Sequence, residues 1–174
     1  FGSGRTDAGV HAVGQSAHFD CKNKIKQSNK FIQSINYFLN NEGITIIKLK
    51  KRNNNFHARF SAKMRIYKYI IINRLSGPVL EKSKAWHVIK ALDLDLMKEG
   101  AKKFIGTMDF STFRASSCRA KSPIKTMKLV KIKSSKNRIE IEFRSQSFLQ
   151  QQVRSMVGCL KYLGEKKWSL KKFE

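Results

Sequence analysis

The residues best suited to chemistry stand together near the start of the chain, in Gly2-Ser3-Gly4-Arg5-Thr6-Asp7-Ala8-Gly9-Val10-His11-Ala12. Three glycines bracket an arginine and an aspartate two residues apart. A carboxylate in such a setting can take a proton or attack an electrophile, and the glycines let backbone approach a substrate closely. A phosphate-cradling loop would end in Gly-Lys-Ser/Thr, which this stretch lacks. A dinucleotide fingerprint would run into a helix, whereas Val13, Gln15, Ala17 and Phe19 alternate as a strand does. A plain turn, with Asp7 bonded to its own backbone, stays open on spacing alone.

The elements that must position this stretch can be read from periodicity. Val13 to Phe19 reads as a strand leading out of the turn. Phe31, Ile32, Ile35, Phe38 and Leu39 recur at helical spacing, and Asn40 to Gly43 closes that helix. Ile44 to Lys50 and Met64 to Asn73 read as strands. In the second, Arg65, Tyr67, Tyr69 and Ile71 share one face and Ile66, Ile70 and Ile72 the other, so one face is core and the other can present aromatics. Leu94, Met97, Ala101, Phe104 and Ile105 mark a second helix, with Asp93 as N-cap and Gly106 as stop. Leu129 to Ile132, a turn at Ser134 to Asn137, and Ile139 to Phe143 form a hairpin. A last helix sets Val153, Met156, Val157, Leu160 and Leu163 on one face, with Arg154 beside it. This order predicts an α+β fold: a largely antiparallel sheet with helices on one face and the other face free.

Composition limits the partners. The chain has 174 residues, 41% of them hydrophobic, enough for one large domain or two small ones. Lys and Arg number 36 against 12 Asp and Glu, a formal net charge of +24 spread from Arg5 to Lys172. A lysine-biased genome would inflate that count, but the spread favours a broad face that tracks phosphates, with affinity that falls steeply as salt is added. No run approaches 18 apolar residues, which argues against a membrane partner. The three cysteines, Cys21, Cys118 and Cys159, are odd in number and widely spaced, pointing to a reducing, cytoplasmic compartment. His11, His18, His57 and His87 form no helix-spaced pair with an acidic partner, so no metal is expected.

The string Gly4-Arg5-Thr6-Asp7-Ala8-Gly9-Val10-His11-Ala12 resembles the signature of the tRNA pseudouridine synthase A family. Three further stretches resemble that family in the same order. They are Phe56-His57-Ala58-Arg59-Phe60-Ser61-Ala62 leading into Tyr67-Lys68-Tyr69, then Asp109 to Arg114, and then Phe148 to Gly158 with Val153-Arg154. The resemblance implies two α+β halves sharing a mixed, largely antiparallel central sheet, with RNA held in a cleft. It also implies a homodimer, no cofactor, and action on tRNA uridines at tRNA positions 38, 39 and 40 of the anticodon arm. Residues 1–174 would form a single catalytic region, divisible into subdomains of about 1–50 and 51–174.

By the same resemblance Asp7 is the catalytic aspartate, flanked by Arg5 and Arg154. Arg5 helps displace the target base, Tyr67 stacks on it, and Arg154 pairs with the carboxylate. Arg59, Arg114 and Arg119 are expected to contact phosphates, as are Arg5 and Tyr67 to touch RNA. Family members carry sheet before the signature and after Glu174, so unpaired sheet edges are expected here. Gln150, Gln151 and Gln152 depart from the family's usual residues. The rival reading is a non-catalytic RNA-binding remnant, and a DNA-compacting protein comes third; neither gains from a carboxylate in a basic cleft.

Overall fold

Alternation along three segments builds the sheet on which everything else rests. A computed structural model describes residues 1–4 and 6–173. In chain order the elements are α1 (Ser28–Leu39), β1 (Arg65–Asn73), β2 (Trp86–Val88), α2 (Leu94–Lys103), β3 (Gly106–Asp109), a 3-10 turn (Ser111–Phe113), β4 (Ile124–Ser135), β5 (Arg138–Ser145), α3 (Gln152–Gly164) and α4 (Leu170–Phe173). The strands form one mixed sheet in the order β2-β1-β5-β4-β3, with β1 and β2 parallel and the other neighbours antiparallel. The α+β class expected from the sequence is therefore the class observed. Two compact units can be distinguished, residues 1–4 with 13–61 and residues 6–12 with 62–173.

The larger unit owes its order to register. Tyr67 lies opposite Phe143, which lies opposite Val130. One step along, Tyr69, Ile141 and Ile132 form the next row. These rows share one face, and Phe143, Ile141, Val130 and Ile132 are all buried there. Met97 and Ala101 of α2, Phe104 just after it, and Met156, Val157 and Leu160 of α3 cover them. The opposite face carries Lys68, Glu140, Glu142, Lys131 and Lys133. Lys68 bridges diagonally to Glu140 at 2.8 Å and reaches Glu142 at 3.8 Å, the cross-strand pairing that suits a wet face. The tyrosines of β1 thus stand on the core face and not on the opposite face, as the sequence had suggested. Ile71, two residues along on the same side, is fully buried, while Ile66 on the other side is exposed.

Helix ends follow local chemistry. Asp93 caps α2 by accepting from the backbone N–H groups of Asp95 and Leu96, satisfying donors that have no partner inside the helix. Its carboxyl group is held below the usual range, first by the Leu96 amide and then by Lys166. Where α2 and α3 cross, the space above two glycines is taken by side chains of the facing helix. A Cβ on Gly100 would come within 2.4 Å of Leu163 Cδ2, and one on Gly164 within 2.8 Å of Met97 Sδ.

In the smaller unit, α1 forms where its periodicity predicted, yet none of its residues is buried. Neither of the two strands expected here forms. Residues 13–19 make a single bridge, Gly2 to Ala17, and Val13 is almost fully exposed. Ile44 to Lys50 is irregular, and at its centre a side chain takes up the backbone groups of one residue. Asn36 donates to the Ile46 carbonyl at 3.0 Å and accepts from the Ile46 N–H at 2.7 Å. Two short strands, β2 and β3, were not legible, since three or four residues carry too little alternation to register.

Candidate active site

The signature loop is shaped by its own backbone. The Val10 N–H donates to the Asp7 carbonyl at 3.1 Å, and Gly9, third in this four-residue turn, has φ 76°. Left-handed backbone at that position is what a type II turn demands, and glycine adopts it without strain. The turn leaves the Asp7 side chain about half exposed.

Arg154 meets this loop from α3. It is the third residue of the helix, one turn from the end at which Gln151 adopts φ 61°. That end is fixed from inside. Gln152 is fully buried, and its Oε1 accepts the Leu149 N–H at 2.8 Å. Arg154 Nε lies 3.9 Å from Asp7 Oδ2, and its terminal nitrogen makes a long contact of 3.5 Å to the Ala8 carbonyl. Both side chains are about half exposed, so the pair adds little to stability. What the pair does is bring a guanidinium from α3 near the carboxylate and the turn that carries it.

The other residues expected at the site are distributed as follows. Tyr67 is partly buried and stands edge-on to Phe148, with centroids 5.0 Å apart. Tyr69, on the same face, is the tyrosine that senses Arg154. Burial raises its phenol and the arginine's charge partly offsets the rise. The sequence placed Tyr69 beside Tyr67 but did not single it out; the shared face was the available signal. Arg114 turns inward, donating to the carbonyls of Cys118 and Ala120 at 2.8 Å each, and so holds the loop that carries the exposed Arg119. Arg59, in the smaller unit, lies 5.8 Å above the Phe60 ring. Arg5 lies outside the described residues.

Comparison with known proteins gives the family. The family model described as tRNA pseudouridine synthase matches residues 101–174. Over 173 residues the chain is 70% identical to the tRNA pseudouridine synthase A of Pelagibacter ubique, covering 99% of this chain and 70% of that protein. It is 45% identical to the enzyme of the same name from Hyphomonas neptunium, covering 94% of this chain and 65% of that protein. For the one from Parvibaculum lavamentivorans the figures are 41% identity, all of this chain and 70% of the relative. The chain thus spans between 65% and 70% of these relatives' length. The family-model match and these relatives, together with a mixed sheet covered by helices, place the protein in the class of pseudouridine synthases. Within that class the chain belongs to the tRNA pseudouridine synthase A family.

Proposed function

We propose that this protein isomerises uridine to pseudouridine in the anticodon arm of tRNA, with Asp7 as the catalytic group. The reaction breaks the N1 to C1′ bond, turns the uracil and joins C5 to C1′. The C5 proton leaves and N1 gains one, so no oxidant or cofactor is called for. A carboxylate serves this chemistry at the ribose, by bonding to carbon or by taking a ribose proton. The observation that carries the reading is the Asp7–Arg154 pair: a half-exposed carboxylate on a glycine turn with an arginine from a different element 3.9 Å away.

Tyr67 and Arg5 complete the proposed site, one as a wall for the base and the other as the group that takes its space, since a base within a stem must leave its stack before it can react. Arg59 and Arg119 contact phosphates, and Arg114 acts by fixing the loop of Arg119. The excess of 36 basic over 12 acidic residues supports a polyanionic substrate. We extend the reading to a homodimer acting in the cytoplasm. Among the described residues no helix is long and apolar enough to cross a membrane. The test is tritium release from C5-labelled uridine in tRNA by the full protein, with molar mass by light scattering beside it. Release is expected; tRNA bound without release would favour the non-catalytic RNA-binding reading instead.

A further inference from the structure

Away from Asp7, the edge strand β2 and the C-terminal half of α3 enclose an open groove of about 220 Å³, lined by Trp86, Ile89, Lys90, Lys161 and Glu165 among others. Its chemistry is unlike that of a core margin. Trp86, Tyr162 and Ile89 are exposed by 36%, 41% and 60%, and Tyr162 leans on Trp168 with centroids 5.3 Å apart. Ammonium groups sit over these rings: Lys161 is 5.6 Å from the centre of Trp86 and 5.3 Å from that of Tyr162, and Lys167 is 5.0 Å from Tyr162.

What holds the lysines there is a buried carboxylate. Glu165, 6% exposed, faces Lys161 at 2.8 Å and Lys167 at 3.0 Å, and Lys90 donates to its backbone carbonyl at 3.2 Å. The lysines, Lys161 first, hold the Glu165 carboxyl group below its usual range. Lys166 pairs with Asp93 at 3.1 Å. Four lysines against two carboxylates leave a surplus of positive charge beside three aromatic rings. Because Glu165 fixes two of the ammoniums in advance, a ligand would meet them without the usual cost of ordering long side chains.

We propose that this groove is a stacking site for an unpaired nucleotide of the RNA substrate, separate from the uridine that reacts at Asp7. This rests on the reading of the chain as a tRNA-modifying enzyme. Aromatic rings interleaved with cations are the equipment of single-strand recognition, in which bases stack and phosphates meet charge. A paired stem offers its rings to no such surface. The groove also shares α3 with the site. Lys161 follows Arg154 by seven residues, two turns or roughly 10 Å along α3. Tyr69, the tyrosine that feels the charge of Arg154, meets Trp86 edge-on at 6.3 Å. A strand leaving Asp7 along α3 would pass over Tyr69 to Trp86 and Tyr162.

Of the chain's two tryptophans, Trp86 lines the groove and Trp168 packs on the neighbouring Tyr162, so their fluorescence reports on the groove and its surroundings. Titrating the full protein with a short oligouridylate at low salt should quench that fluorescence to saturation. Anisotropy of a labelled oligouridylate should show roughly tenfold weaker binding for Trp86→Leu and for Tyr162→Ala. Tyr162→Phe, which keeps the ring, should bind as the wild type does, and melting curves keep loss of fold apart from loss of stacking. Equal quenching by inorganic polyphosphate, or unchanged affinity in both ring-removing variants, would overturn the proposal. Tritium release from tRNA, measured on the same samples, separates the two claims. Turnover without quenching sinks the groove and leaves the catalytic reading, and quenching without turnover does the reverse.

Discussion

Two regions of this chain carry comparably clear apolar periodicity and turn it into very different structure. In the larger unit every periodic segment finds a complementary surface. Phe143, Ile141, Met156 and Leu160 are fully buried, and α2 and α3 close over β4 and β5. In the smaller unit α1 has the same spacing of large apolar residues, yet Phe31, Ile32, Ile35 and Leu39 are only partly buried and Phe38 is 77% exposed. Ile44 and Ile47, on a segment with strong strand character, are exposed as well. Periodicity says which residues would share a face. Whether that face is buried depends on a partner surface, and only burial removes apolar area from water.

The contrast can be broken by mutation. Phe143→Ala in β5 should cost about 3–5 kcal/mol, because it removes a fully buried ring and leaves a cavity. Phe38→Ala in α1 should change stability by no more than roughly 0.5 kcal/mol. Denaturant unfolding of both variants settles the matter, and similar costs at the two positions would show that α1 packs far better than its exposure indicates. A smaller effect is expected at the helix crossing. Gly164→Ala should destabilise by about 1–3 kcal/mol through overpacking against Met97, despite alanine's better helix propensity; a stabilised variant would mean that the crossing has slack.

Acid should act on the larger unit first. The carboxyl groups of Asp93 and Glu165 are both held below their ordinary values. A depressed folded-state value gives stability that is present above the unfolded value and lost as pH falls through the folded one. The denaturation midpoint of the wild type should therefore fall as pH drops below about 4, where an unperturbed carboxylate protonates. In Asp93→Asn that fall should be smaller, and an identical acid profile would remove Asp93 from the account.

Much of the larger unit was legible because its signals were local and mutually consistent. Asp93 stands where an N-cap belongs, Ile139 to Phe143 alternates cleanly, and Val153 to Leu163 keeps one helical face. The missing strands of the smaller unit were misread because strand propensity says nothing about the neighbour a strand requires. Asn36 takes both backbone groups of Ile46 by an arrangement that no period reveals. At the site, Asp7 and Arg154 were named from resemblance, and the long-range contact between them follows from the turn at Gly9 and the start of α3. The inward bond of Gln152 and the engagement of Arg114 with loop carbonyls were hidden, since both depend on where distant loops pass.

The account turns on Asp7, and Asp7→Asn tests it most directly because the amide keeps the size of the side chain while removing its charge. In the full protein this variant should lose tritium release from C5-labelled tRNA uridine, while its filter-binding curve for tRNA at fixed salt stays close to that of the wild type, phosphate contacts supplying most of the affinity. Retained turnover in Asp7→Asn would contradict the assignment of this carboxylate as the catalytic group.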